Sequence, residues 1–151
     1  MDKTKIAFFE IEPWEKDYLK SQLKEYDLIF SEEKIDPNNL DKISDINILS
    51  PFVYSSVDKK IIDSLKSLKY IATRSTGFDH IDLKFCKKNN IAVSNIPTYG
   101  ENTVAEHTFA LILALSRRIY DSIERTKRED FSFYVLAGFD LKEKGSFGLR
   151  Y

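Results

Sequence analysis

Short apolar runs alternate with helical patterns along the first hundred residues, and this alternation constrains the fold more than any other feature. Five such runs predict strands at residues 5–9, 27–30, 46–49, 70–73 and 92–94. Strands that alternate with helices in this way are typical of a parallel sheet with helices on both faces. Right-handed crossovers then give an α/β fold, with a flavodoxin-like, doubly wound sheet of five parallel strands.

The segments between the strands carry helix signals. Helices are predicted at residues 13–24, 40–43, 58–65 and 82–88, with Pro13 at an early helical position and Asp36-Pro37 as the break before the short second helix. After the fifth strand, Thr103 and Glu106 fit a capping box that opens a long helix to about residue 120. That helix is apolar nearly all round, which predicts partners on every side, and a charged helix at 121–130 follows.

Composition excludes several functional classes. The chain has 151 residues, the size of one ordinary domain, and a net charge of −1 without a basic block, so no nucleic-acid partner is expected. The longest apolar run, residues 109–115, is too short to cross a bilayer, so no membrane partner is expected either. Cys86 is the only cysteine, which excludes an internal disulfide and a multi-cysteine metal site. No secretory leader opens the chain, and we expect a soluble, cytoplasmic protein without a metal.

A glycine-containing loop follows the fourth predicted strand. It reads Arg74-Ser75-Thr76-Gly77-Phe78-Asp79, and glycine there lets the backbone approach a ligand. Consecutive amides in such a loop hold a carboxylate or phosphate, and Arg74 adds a charged fork. A plain turn, with Asp79 or Asp82 capping the next helix, explains the same residues.

A second loop, residues 95–102, follows the fifth predicted strand and contains Pro97, Tyr99 and Gly100. Taken alone, it is a turn before a capped helix. Loops at the carboxyl ends of successive strands are, however, where open α/β sheets bind small ligands. His107 lies inside the following helix and is interpreted as structural, while His80 is expected to shape the glycine-containing loop.

Three strings in this region match a known family in order and spacing. TRSTGFDHID (73–82), NIPTYGENTVAEHT (95–108) and the apolar helix together resemble the NAD-dependent D-isomer-specific 2-hydroxyacid dehydrogenases. The resemblance implies an oxidoreductase that acts on the CH–OH group of a small 2-hydroxy acid, such as D-lactate/pyruvate, with NAD as cofactor. It also implies a substrate domain at 1–100, interdomain helices at 101–140 and an aberrant or truncated start of the NAD-binding domain at 141–151.

The resemblance also assigns site residues. It places the wall that selects the substrate side chain at Phe52, Val53 and Tyr54, and it places the substrate carboxylate on the amides of Thr76 and Gly77. Thr76 also matches a position that touches the nicotinamide end of NAD. The full set implied for the substrate is Phe52, Val53, Tyr54, Arg74, Thr76, Gly77 and Tyr99, and for the cofactor Thr76, Gly100 and Glu101.

The chain departs from the family after residue 142. The catalytic arginine, glutamate and histidine of the family follow a G-x-G-x-x-G loop in the nucleotide-binding domain, whereas here Gly145 and Gly148 lack the flanking strand and helix. We therefore expect a truncated chain that holds no catalytic residue and is inactive alone. The full-length family implies a homodimer. Uncovered apolar residues of the long helix predict self-association of the fragment, namely Phe109, Leu111, Ile112, Leu113 and Leu115.

Two alternatives stay open at this point. The first is a non-catalytic flavodoxin-like binding or regulatory module. Glu10 and Glu12 imitate the acidic pair of a phospho-receiver, but Ser50-Pro51 occupies the place of its aspartate. The second is a degenerate relic of the dehydrogenase family that acts only through a partner.

Overall fold

One five-stranded sheet organises the first part of the chain. The computed structural model describes residues 3–40, 43–132 and 136–142. Its strands are β1 (Lys5–Phe9), β2 (Asp27–Ser31), β3 (Ile48–Ser50), β4 (Tyr70–Ala72) and β5 (Ala92–Ser94). All neighbours pair in parallel, in the order β2-β1-β3-β4-β5, which confirms the predicted flavodoxin-like sheet.

Helices follow the strands in the predicted alternation. They are α1 (Pro13–Gln22), α2 (Lys59–Ser64), α3 (Leu83–Lys88), α4 (Glu101–Ser116) and α5 (Ile119–Lys127), with a 3-10 turn at Pro37–Asn39. Side chains cap three of the starts, because Asp36, Asp58 and Asp82 each accept from a backbone N–H of the following turn. Of these helices, none is long and apolar enough to span a membrane within the described residues.

One helix prediction was wrong, and another lies partly outside the described residues. Residues 41 and 42 of the short helix expected at 40–43 are not described, and before them a 3-10 turn covers Pro37–Asn39, with Asp36 as its cap and Pro37 at its first position. The capping box expected at Thr103 does not open α4, which starts at Glu101 with Gly100 as N-cap. Thr103 and Glu106 lie inside the helix, where residues with a Thr-x-x-Glu spacing do not cap a helix start.

The core lies on both faces of the sheet, because alternate residues of β1 point to opposite sides. Ile6 and Phe8 join a cluster with Leu19 of α1. Ala7 and Phe9 join the larger cluster on the other face, which contains side chains of α2 and α3. Buried members of that cluster include Leu49, Val57, Ile61, Ile62, Ile71 and Cys86. The parallel sheet thereby has apolar clusters packed on both of its faces.

The chain divides into two compact units, Met1–Tyr99 and Gly100–Tyr151. In the second unit, α4 ends where Arg118 takes a left-handed backbone (φ 51°) before α5. The Phe139 N–H donates to the Ser116 carbonyl at 2.9 Å, and a Cβ at Gly138 would meet that oxygen at 2.3 Å, so glycine is required there. The predicted start of an NAD-binding domain at 141–151 lies outside the described residues from position 143 onward.

Apolar side chains are exposed along α4. Phe109 is 57% exposed and Leu115 76% exposed, while Leu111 and Leu113 are each about half exposed and Ile112 is partly buried. Self-association through this helix stays a prediction.

Candidate functional site

Three loops meet at the carboxyl edge of the sheet. We call residues 51–55 the wall loop, 74–79 the glycine loop and 95–99 the tyrosine loop. The Arg74 N–H donates to the Pro51 carbonyl at 3.1 Å, which joins the glycine loop to the wall loop. The Ile96 N–H donates to the Ser75 carbonyl at 3.0 Å, and the Asn95 side-chain amide donates to the Thr76 carbonyl at 2.8 Å. The structure therefore brings the predicted substrate-binding segments of the first unit together.

The glycine loop presents free backbone donors. Thr76 and Gly77 are exposed, and among the residues that the structure describes, none accepts a hydrogen bond from either N–H. An added Cβ at Gly77 would have no heavy atom within 4 Å, so the space in front of the loop is open. Adjacent unpaired amides at a strand end are suited to bind an anion such as a carboxylate.

Buried hydroxyl groups hold the glycine loop from behind. The Ser75 hydroxyl donates to the Gly77 carbonyl at 2.7 Å and shares a 2.7 Å hydrogen bond with the Thr73 hydroxyl. Nε2 of His80 lies 3.2 Å from the same Thr73 hydroxyl. Thr73 and Ser75 are almost fully buried, so this network fixes the loop conformation, in agreement with the expected role of His80.

The buried network predicts a pH dependence of stability. Burial lowers the pKa of His80 from its usual value of 6.5, with Glu10 and Asp79 opposing this effect. Because the folded state binds the proton less readily than the unfolded chain, the free energy of unfolding falls as the pH drops below about 6.5. We expect His80→Asn to flatten this pH dependence in urea denaturation between about pH 5 and 8.

His107→Asn serves as the matched control, because His107 is exposed on α4. If both substitutions flatten the pH dependence equally, the buried network is not its source.

Arg74 links the ends of three strands. Its Nη2 donates to the carbonyl oxygens of Phe9 (2.8 Å) and Glu10 (2.9 Å), and its Nη1 donates to the carbonyl (2.8 Å) and the hydroxyl (3.3 Å) of Ser50. Its Nε lies 3.5 Å from Oε1 of Glu15. Each guanidinium nitrogen thus faces an oxygen, and a substrate carboxylate would have to displace one of these acceptors. The prediction that Arg74 binds substrate stays a prediction.

The guanidinium is also held against an aromatic ring. Its Cζ lies 5.8 Å from the ring centroid of Phe52, a distance at which a cation and a ring attract each other. Burial lowers the pKa of Arg74, while Glu15 and Glu10 raise it, and an arginine stays charged in such surroundings. Arg74 therefore contacts the Phe52 ring as well as the ends of the strands.

Glu10 holds the wall loop through its carboxylate. Oε1 accepts from the Tyr54 N–H at 2.7 Å, and Oε2 accepts from the Phe52 N–H at 3.2 Å and from the Ser55 hydroxyl. In the sequence, Glu10 was considered only as part of an acidic pair. Its contacts with the wall loop join residues 42 to 45 positions apart, so no local sequence pattern predicts them.

Phe52 and Tyr54 line a cavity of about 760 Å³, which Glu10, Trp14 and Arg74 also line. Thr76 and Gly77 do not line it. Val53 and Tyr54 are exposed, and Phe52 is partly buried. The wall loop therefore has the cavity on one side, and its backbone is held by the groups that line that cavity.

The other residues singled out in the sequence lie at the end of the tyrosine loop or within helices. Tyr99 is 68% exposed at the end of the tyrosine loop, Gly100 is the N-cap of α4 and Glu101 is the first residue of that helix. Cys86 is fully buried in α3, and burial raises the pKa of its thiol, which fits the structural role expected for it. In the described part of the chain, no three His, Cys, Asp or Glu side chains are grouped as a metal site.

A family model matches residues 6–138, and its description is the catalytic domain of the D-isomer specific 2-hydroxyacid dehydrogenases. Among curated proteins, 2-hydroxyacid dehydrogenase homolog 1 of Schizosaccharomyces pombe is 33% identical over 147 residues, which are 93% of this chain and 43% of the relative. D-lactate dehydrogenase of Staphylococcus aureus is 31% identical over 134 residues, which are 86% of this chain and 41% of the relative.

Solved structures give the same result. D-lactate dehydrogenase from Aquifex aeolicus, complexed with NAD and lactic acid, matches with a TM-score of 0.84 and 32% identity over 89% of this chain and 41% of that one. The pyruvate reductase of Chlamydomonas reinhardtii matches with a TM-score of 0.66 and 30% identity over 91% of this chain and 42% of that one. The chain spans less than half the length of these relatives. It belongs to the D-isomer specific 2-hydroxyacid dehydrogenase family, and residues 6–138 are its match to the family's catalytic domain.

Proposed function

We propose that the chain is the N-terminal substrate-binding part of an NAD-dependent D-2-hydroxyacid dehydrogenase. Its substrate is a small 2-hydroxy or 2-oxo acid such as D-lactate or pyruvate. The observation that carries the proposal is the pair of exposed backbone N–H groups at Thr76 and Gly77, which have no acceptor among the described residues. Two such donors match the two oxygens of a carboxylate.

The other substrate contacts follow from the same loops. With the carboxylate on Thr76 and Gly77, the wall residues Phe52, Val53 and Tyr54 select the substrate side chain. Tyr99 adds a phenolic hydroxyl from the tyrosine loop. Arg74 contributes through its contact with the Phe52 ring, and its direct contact with the substrate requires the release of one of its present acceptors.

NAD is the proposed cofactor because the Aquifex aeolicus relative was solved with NAD and lactic acid. When bound, NAD accepts or supplies the hydride of the reaction. Thr76 is a proposed contact of the nicotinamide end of NAD, since its exposed position on the glycine loop leaves it accessible to a second ligand. Gly100 and Glu101 are proposed contacts along the cofactor, and Glu101 is exposed at the start of α4. A homodimer and a cytoplasmic location also belong to the proposal.

Proton transfer requires a side chain within hydrogen-bond reach of the substrate oxygen. His80 is engaged behind the glycine loop with Thr73, and His107 lies on α4. We therefore assign no catalytic residue to this chain and propose that a polypeptide of these 151 residues is inactive on its own.

A chimera tests the proposal. Residues 6–138 would replace the matching segment of the Aquifex aeolicus D-lactate dehydrogenase, whose remaining part supplies the rest of the enzyme. We expect NADH-dependent reduction of pyruvate by the chimera, because the glycine and wall loops position the substrate, and none by the 151-residue polypeptide. The measurement is the absorbance change of NADH with pyruvate as substrate.

The relative's own segment, reinserted through the same junctions, controls for damage at the junctions. A folded chimera that binds NADH but reduces no 2-oxo acid contradicts the proposal. Turnover by the purified 151-residue polypeptide contradicts its inactivity.

A further inference from the structure

Glu10 has an unusual backbone for a glutamate. It follows β1 with φ 56°, a left-handed backbone conformation that residues other than glycine, asparagine and aspartate rarely adopt. Such a residue persists only where surrounding contacts hold it. Its N–H donates to the Glu33 carbonyl at 3.1 Å, and its carbonyl accepts from Arg74 at 2.9 Å. The backbone is thus fixed from both sides in a conformation that directs the carboxylate to the wall loop.

The carboxylate meets the wall loop at three donors. The N–H groups of Phe52 and Tyr54 donate to different oxygens, at 3.2 and 2.7 Å, and the Ser55 hydroxyl donates as well. Ser55 is fully buried, and its hydroxyl in turn accepts from the Ile35 N–H at 3.0 Å. The wall loop is therefore tied to the segments after both β1 and β2.

We propose that Glu10 is the positioning residue of the wall loop and that it sets which substrate side chains the site accepts. The part of the inference that concerns substrate selection rests on the proposed function, in which the wall loop selects the substrate side chain. Glu10 acts through the backbone of Phe52 and Tyr54 and needs no contact with the substrate. Its two carboxylate oxygens accept hydrogen bonds from three donors of the wall loop, so its role is that of a hydrogen-bond acceptor.

The chemistry of the contact makes a glutamine substitution informative. Glutamine has the same shape, but one carboxylate oxygen becomes an NH₂ group, which cannot accept from an amide N–H. Glu10→Gln thus removes the hydrogen-bond acceptor on one side of the wall loop. Glu32→Gln is the matched control, because Glu32 is exposed, lines the same cavity and loses the same charge.

Amide exchange in the 151-residue chain tests the positioning role. In Glu10→Gln, we expect protection of the Phe52 and Tyr54 amides to fall about tenfold, with Leu49 and Ile71 unchanged as reporters of the fold. Glu32→Gln is expected to leave all four amides unchanged. If Glu10→Gln does not fold, Glu10→Asp replaces it, because aspartate keeps the charge but is one methylene too short to reach both amides. Unchanged protection at Phe52 and Tyr54 overturns the proposal.

Ligand titration in the same chain tests selectivity. Pyruvate and a branched 2-oxo acid, 4-methyl-2-oxopentanoate, would be titrated while the Thr76 and Gly77 amide resonances are followed. We expect the ratio of the two Kd values to change about fivefold in Glu10→Gln and to stay constant in Glu32→Gln. An unchanged ratio overturns the selectivity role. If the unsubstituted chain binds neither acid, the proposed function fails and selectivity fails with it, whereas the exchange result still decides whether Glu10 positions the loop.

Discussion

Gly77→Val will raise the KM for pyruvate about 100-fold in the chimeric dehydrogenase, because losing charge-assisted hydrogen bonds worth about 3 kcal/mol weakens binding by a factor of this size. The fold will not be the cause, because an added Cβ at Gly77 has no heavy atom within 4 Å. The valine side chain will instead occupy the open space in front of the Thr76 and Gly77 amides, where the carboxylate is proposed to bind. Steady-state kinetics and thermal melting together measure the two effects.

A graded series sharpens this test. Gly77→Ala should raise the KM less than Gly77→Val, since the effect follows side-chain size, and the KM for NADH should stay nearly constant in both variants. An unchanged KM for pyruvate in Gly77→Val would show that the carboxylate binds elsewhere.

Arg74→Met will lower the free energy of unfolding by about 3 kcal/mol, the range seen when one partner of a buried charged network is removed. Methionine fills similar space but leaves the carbonyl oxygens of Phe9, Glu10 and Ser50 without their donors. The Arg74 side chain is only 17% exposed, so water replaces these hydrogen bonds poorly. The measurement is urea denaturation of the 151-residue chain, in which the midpoint falls while the slope stays constant.

Arg117→Met is the matched control for charge and shape. Arg117 pairs with Asp140 at 2.8 Å, but its side chain is 61% exposed, so its loss should cost no more than about 1 kcal/mol. Arg74→Lys should restore only part of the stability, because an ammonium cannot reach carbonyls on two strands and Glu15 together. Equal destabilisation by the Arg74 and Arg117 substitutions would show that the strand-end contacts contribute little.

The sheet was predictable because its signals are local. The strand at 92–94 was predicted with the bounds that the structure gives, and the parallel order followed from the alternation of strands and helices. Buried parallel strands are short apolar runs, and a crossover of about a dozen or more residues, usually with a helix, must separate them. The glycine loop was found for the same reason, since Gly77 closely follows a strand.

The features that the sequence did not reveal depend on distant contacts or on ambiguous spacing. Glu10 and Arg74 reach their partners across 42 to 65 residues, and no sequence window contains both ends of such a contact. The break between α4 and α5 at Arg118 accompanies the approach of Gly138 and Phe139 to the end of α4, some twenty residues later. The Thr103 capping box was wrong because its spacing also occurs inside helices.

The left-handed backbone at Glu10 has a consequence for redesign of the substrate range. A non-glycine residue in this conformation costs about 1–2 kcal/mol, and here the wall-loop hydrogen bonds to the carboxylate help to offset it, together with the backbone contacts to Glu33 and Arg74. A grafted loop whose backbone N–H groups do not reach the Glu10 carboxylate would remove part of that compensation, even if the graft fitted its other neighbours. Position 10 and residues 51–55 should therefore be changed together when the substrate range is redesigned. Variants in which only the loop is replaced would be lost for lack of stability, although a suitable residue at position 10 would restore them.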